Sequence, residues 1–120
     1  WGPDFDNPQS RKFVEAFEKK YNRVPSKYAA QSYDGALLLD SALRKVNGDL
    51  SDKTAFIAAL KQAEFNSVRG TFEFNNNNFP IQDYYLFEVE KDSKGRASLV
   101  TKGKVLTHHT DSYAKNCPLK

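Results

Sequence analysis

The apolar residues of this chain change period once, after Phe65, and that change sets the order of its elements. Ahead of it the spacing is helical. Phe13, Val14, Phe17 and Tyr21 recur three to four residues apart, with Arg11, Lys12, Glu15, Glu18 and Lys19 between them. Asn7-Pro8 marks the start of this helix, since Asn caps free N–H groups and Pro fits the first helical position. It ends before Pro25, because a residue preceding proline avoids the helical region. A second helix is predicted from Tyr28, with Ala30, Tyr33, Leu37, Leu38, Ala42 and Leu43 as its apolar stripe and Asn47-Gly48 as its stop. Asp34 reads there as a complement to the positive end of the helix. Ser51 is the expected cap of a third helix, whose inner face is Phe56, Ile57 and Leu60. After Phe65 the pattern alternates. Val68, Gly70, Phe72 and Phe74 are interleaved with Arg69, Thr71 and Glu73, the mark of a half-buried strand. Asn75 to Asn78 reads as a turn. Tyr84 to Glu90 is a second strand, Asp92-Ser93-Lys94-Gly95 a hairpin signal and Ala97 to Lys102 the returning strand. From Thr107 to Lys120 the chain is polar and reads as a loosely held tail.

This order creates a deficit. Three amphipathic helices need a sheet to cover, and about three strands are a thin platform for them. The chain therefore reads as an incomplete α/β fold that needs further chain or a second copy of itself. Homodimerisation, by exchange of elements between copies, is the expectation for the piece alone.

Composition excludes several functions. Apolar residues make up 39% and charged residues 28%, which suits a globular protein and not a disordered one. The net charge of +3 is mild and its lysines and arginines are scattered among acidic residues, so no basic face for nucleic acid forms. No apolar run approaches the roughly 18–20 residues of a membrane span. Trp1-Gly2-Pro3-Asp4 does not have the character of a secretory signal. With one cysteine, Cys117, neither an internal disulfide nor a cysteine-based zinc site is available.

Catalytic constellations are equally thin. His108 and His109 are adjacent and chelate one ion poorly, and with Asp111 they make at best a surface site. Ser112, His109 and Asp111 have the residue types of a hydrolase triad but sit within four residues of each other on a polar tail, without the scaffold a triad needs. Glu73 and Glu88 alternate with apolar neighbours and read as the solvent faces of strands. Gly70, Gly95 and Gly103 are isolated and form no phosphate loop. Cys117 has no activating neighbour. The chain is expected not to be an enzyme and to need no cofactor or metal.

The ordered blocks DFDNP, FVEAFEKKYNRVPSKYAAQSYDGALLLDSAL, SDKTAFIAALKQAEFNSVRGTFEFN and FPIQDYYLFEVEKD span nearly the whole chain. They resemble the end of the branched-chain amino acid binding proteins of ABC transporters, which have the type I periplasmic binding fold. The FPIQD version is most similar to a subgroup that handles aromatic carboxylates. This resemblance implies an α/β fragment, three helices followed by about three strands. Residues 1–80 would be the carboxy-terminal segment of one lobe of a bilobed protein, and residues 81–120 a crossover strand, hairpin and tail associated with the other lobe. It implies capture of branched-chain amino acids or aromatic acids in the cleft between lobes, a periplasmic location and a permease as partner. The family's clamp for an α-carboxylate would lie outside this chain. A ligand-sensing receptor or regulator domain on the same fold is the alternative. The aromatic before the buried helix lies against the ligand side chain in this family, and here that is Tyr28. Ordinary core packing is the other reading of the same residue. Gln31 and Ser32 are candidate polar contacts at the same helix end, with capping or solvation as the competing roles. Tyr33 is expected in the core. Gln82 and Asp83 are expected to shape a hinge or form a plain turn ahead of the strand.

Overall fold

The computed structural model describes residues 1–117 and residue 119. Among these, α1 is Pro8–Tyr21, α2 Lys27–Lys45 and α3 Lys53–Gln62, followed by β1 Glu73–Phe74, β2 Pro80–Lys91 and β3 Ala97–His109. The strands form one antiparallel sheet in the order β1-β2-β3. The predicted order of helices and strands is thus the observed one.

The helix ends follow local chemistry. The Asn7 side chain accepts hydrogen bonds from the backbone N–H groups of Gln9 and Ser10, and Pro8 opens α1. Asn22 closes it in the left-handed region at φ 51°. Ser26 caps α2 through Ala29 N–H, and Gly48 follows its end at φ 77°. The cap of α3 corrects the expected one. Asp52 accepts from Ala55 N–H at 3.0 Å, while the Ser51 hydroxyl is turned back onto Asp49 at 2.6 Å. The inner face of α3 also differs. Ala59 is buried and Phe56 and Leu60 are half-buried, but Ile57 is exposed.

The strand expected from Val68 to Phe74 shrinks to Glu73–Phe74. Two local facts break it. The N–H groups of Val68 and Arg69 are taken by the side chains of Asp34 and Ser67, so they cannot join a ladder. Gly70 adopts φ 95°, and a Cβ there would meet the Phe5 ring at 3.3 Å. β2 and β3 run longer than expected and pair as a two-stranded ribbon with register shifts between Gln82 and Phe87. The predicted tail is likewise partly ordered. Thr107 to His109 belong to β3, and Ala114–Asn116 form a 3₁₀ turn. Asn76 Nδ2 donates to the Ala114 carbonyl and Asn77 Nδ2 to Asp111, so the asparagine loop holds this segment. Residues 118 and 120 of that tail lie outside the described residues.

The core is small. Phe13, Ala30 and Val68 are its buried centre, with Trp1, Val14, Phe17 and Ala29 packed around them. Two polar clamps, one from α1 and one from the segment before it, reach the ribbon. Glu18 on α1 pairs with Lys94 and Arg96 at the hairpin. Asp4 accepts from the backbone and hydroxyl of Thr101 at 2.7 and 2.8 Å.

Size confirms the deficit of covering surface. The chain exposes 8392 Å², where a compact protein of its mass exposes about 6,600 Å². Its radius of gyration is 16.5 Å, against about 14 Å for a compact chain of this length. Leu39, Ile57, Leu86, Val89, Val105 and Leu106 are among the apolar side chains left exposed.

Candidate functional site

A cleft of about 660 Å³ opens between the start of α2 and the ribbon, a size suited to a small organic ligand. One wall carries Lys27, Tyr28 and Gln31. The facing wall carries Gln82, Tyr84, Tyr85 and Phe87 of β2, and Trp1 and Arg69 complete the lining. The wall from α2 exists because Pro25 is buried and Ser26 caps the helix, which turns the next two side chains outward. Tyr28 is 66% exposed, with the Lys27 ammonium 5.1 Å from its ring centre. It is therefore not a core aromatic. Gln31 joins it on the cleft wall. Ser32 does not. Its hydroxyl donates to the Tyr28 carbonyl at 2.9 Å and it is absent from the lining residues. Tyr33 packs tilted against Phe13, ring centres 4.8 Å apart, but it is exposed and not the core residue expected.

Gln82 and Asp83 lie within β2, because that strand begins at Pro80. Gln82 Nε2 donates to the Tyr84 hydroxyl at 3.2 Å. Asp83 is the one carboxylate among the described lining residues, and it is fully engaged. It pairs with Lys104, accepts from His108 N–H at 2.7 Å and accepts from the Tyr85 hydroxyl at 3.3 Å. The Lys104 hydrogen bond, with that of the His108 backbone, holds its carboxyl below the ordinary value. Burial raises the Tyr85 phenol.

Behind the cleft lies the feature that sequence reasoning missed. Asp34 is 2% exposed and accepts from Ser67 Oγ at 2.6 Å, Val68 N–H at 2.8 Å and Arg69 Nε at 2.8 Å. It does not complement the helix start, as its position in α2 suggested. The missed signal is that Asp34 stands four residues after Ala30 and four before Leu38, inside the apolar stripe. In sequence Arg69 alternates with the apolar residues of the expected half-buried strand. It is instead a half-buried residue shared by this cleft and a second cavity of about 390 Å³. The arrangement offers aromatic faces and hydrogen-bond donors.

A family model described as periplasmic binding protein matches residues 1–96. The chain belongs to the periplasmic binding protein family. Solved structures carry the likeness over nearly its whole length. A solute-binding protein of an ABC transporter from R. palustris, in complex with benzoate, is 32% identical with a TM-score of 0.88. The match covers 99% of this chain and 31% of that one. An ABC transporter substrate-binding protein from Sphaerobacter thermophilus is 26% identical with a TM-score of 0.79, covering 90% of this chain and 30% of that one. A solute-binding protein from Rhodopseudomonas palustris BisB5, in complex with 3,4-dihydroxybenzoic acid, is 26% identical with a TM-score of 0.79, covering 93% and 30%. This binding-protein chain thus spans under a third of the length of these relatives. No curated protein sequence matches it.

Proposed function

We propose that this chain supplies one wall of the ligand cleft in the solute-binding component of an ABC importer, and that the ligand is an aromatic carboxylate. On this reading residues 1–80 complete one lobe and residues 81–120 form the crossover and its return. The protein works in the periplasm and delivers its ligand to a membrane permease. Two relatives were solved with benzoate and with 3,4-dihydroxybenzoic acid, which supports the ligand class.

The observation that carries the proposal is the chemistry of the cleft. Its walls present Trp1, Tyr28, Tyr84 and Phe87, suited to the faces and edges of an aromatic ring. Its one carboxylate, Asp83, is spent on Lys104 and His108. An amino acid brings an ammonium that needs an anionic partner when buried, and this wall offers none. A carboxylate without an amine carries no such cost. A branched-chain amino acid would have to find that partner on the rest of the cleft.

Thermal unfolding of the full-length protein carrying this segment tests the proposal. Benzoate and 3,4-dihydroxybenzoate at about a hundred times Kd should add about 2.7 kcal/mol by mass action, with leucine adding nothing. Stabilisation by leucine and not by the aromatic acids would overturn the ligand assignment.

A further inference from the structure

We infer that Arg69 is the specificity-determining residue that takes the ligand's carboxylate in this cleft, and that buried Asp34 positions it. The inference rests on the aromatic-acid reading above. It departs from the clamp implied by the resemblance to amino acid binding proteins, which lies outside this chain.

Arg69 is held from three directions. Its Nε donates to Asp34 Oδ2 at 2.8 Å, its Nη1 donates to Gln82 Oε1 at 3.3 Å, and its guanidinium lies over the Phe72 ring at 5.2 Å. Among the described residues no hydrogen bond engages Nη2. The side chain is 18% exposed and lines the cleft. Asp34 does not compete for a ligand at that edge. Its oxygens are turned inward onto Ser67 and the Val68 backbone. The result is a planar donor group whose rotamer is fixed before binding, so little order is lost when an anion arrives. Lys27 stands on the same cleft lining and adds positive charge. A carboxylate is the acceptor that best matches the unengaged Nη2, since charge-assisted bonds to guanidinium are the strong ones. A neutral amide of the same shape lacks the charge.

Paired titrations of benzoate and benzamide, by calorimetry on the full-length protein, test this. The wild type should favour benzoate by roughly tenfold or more, the worth of one charge-assisted contact. In Arg69→Gln that preference should collapse towards unity, through loss of benzoate affinity with benzamide affinity little changed. Because Arg69→Gln leaves the Asp34 charge uncompensated, the double variant Arg69→Gln with Asp34→Asn is made beside it. The double variant removes both charges and should show the same collapse with folding retained. A benzoate preference that survives in either folded variant overturns the inference and leaves the aromatic-acid reading standing. A wild type that binds no aromatic acid overturns both.

Discussion

Asp34 Oδ1 accepts a hydrogen bond from the Val68 backbone N–H at 2.8 Å, tying the middle of α2 to a segment more than thirty residues later. The same carboxylate holds Ser67 and Arg69. A single side chain therefore sets both the packing of α2 and the start of the cleft floor. A buried carboxylate with a cationic partner adds little net stability against an apolar isostere, but removing one partner alone strands the other. We expect Asp34→Ala to cost about 3–5 kcal/mol, since it strands the Arg69 charge and a buried N–H. Ser67→Ala should cost about 1–3 kcal/mol, because it removes one donor to the carboxylate and the acceptor of the Arg69 backbone N–H. Urea denaturation of the two variants checks the order. Equal and small losses would show that the network is not structural.

Much of this fold could be read from the chain, and the part that could not has a common cause. Helix starts at Asn7-Pro8 and the stop at Asn47-Gly48 rest on backbone groups within a few residues, so sequence alone carries them. The hairpin at Asp92 to Gly95 is local in the same way, with Asp92 Oδ1 accepting from Lys94 and Arg96 N–H groups. The failures are long-range. Alternation from Val68 to Phe74 looked like a strand, but Asp34 takes the N–H a ladder would use, and it is thirty-four residues away. The order of the segment after Thr107 depends on side chains of the asparagine loop. At the cleft, Tyr28 and Gln31 stand where a helix entrance aims side chains outward, a local feature, while the place of Arg69 depends on Asp34, thirty-five residues earlier.

Acid should loosen the contact between α1 and the hairpin. Hydrogen bonds from Arg96 and then Lys94 hold Glu18 below its ordinary value of 4.5. Lys104 and the His108 backbone do the same for Asp83, whose ordinary value is 3.8. Each folded-state value is depressed, so the folded chain binds these protons less readily than the unfolded one. The stabilisation is complete above the ordinary values and is lost as pH falls through the lower folded ones. Glu18 and its two partners are partly solvated, so screening keeps their contribution small. Denaturation midpoints should therefore fall between pH 5 and pH 3, and Glu18→Gln should fall less over that window. An identical acid dependence in Glu18→Gln would place the effect elsewhere.

The isolated chain should self-associate. Its surface exceeds that of a compact protein of equal mass by about 1,800 Å², about twice the roughly 800 Å² that each partner buries in a standard protein interface. Part of the exposed apolar surface lies on the ribbon, where Leu86 is 57% and Val89 69% exposed. A second copy is the available cover when no other chain is present. Light scattering behind a sizing column should give a dimer at micromolar concentration, and Val89→Lys with Leu86→Lys should shift it towards monomer. A cooperative monomer of the unaltered chain would show that the exposed ribbon needs no cover.

Tyr28 separates binding from folding better than any other residue of the cleft. Its ring is largely exposed, it holds no side-chain hydrogen bond among the described residues, and its contact with Lys27 is at the surface. Truncation at such a place changes stability by less than about 0.5 kcal/mol. On a ligand ring the same side chain offers an apolar face, and an aromatic pair is worth about 0.5–1.5 kcal/mol beyond the area it buries. In the full-length protein Tyr28→Ala should therefore weaken benzoate binding by roughly tenfold at an unchanged unliganded melting temperature. Tyr28→Phe keeps the face and loses only the hydroxyl. It should bind benzoate as the wild type does, and any loss confined to 3,4-dihydroxybenzoate would assign the hydroxyl to the ring substituents. Calorimetric titration of both acids against the three proteins reads each arm. Wild-type affinity in Tyr28→Ala would remove this residue from the cleft's working surface and leave the aromatic contacts to Trp1 and the β2 side chains.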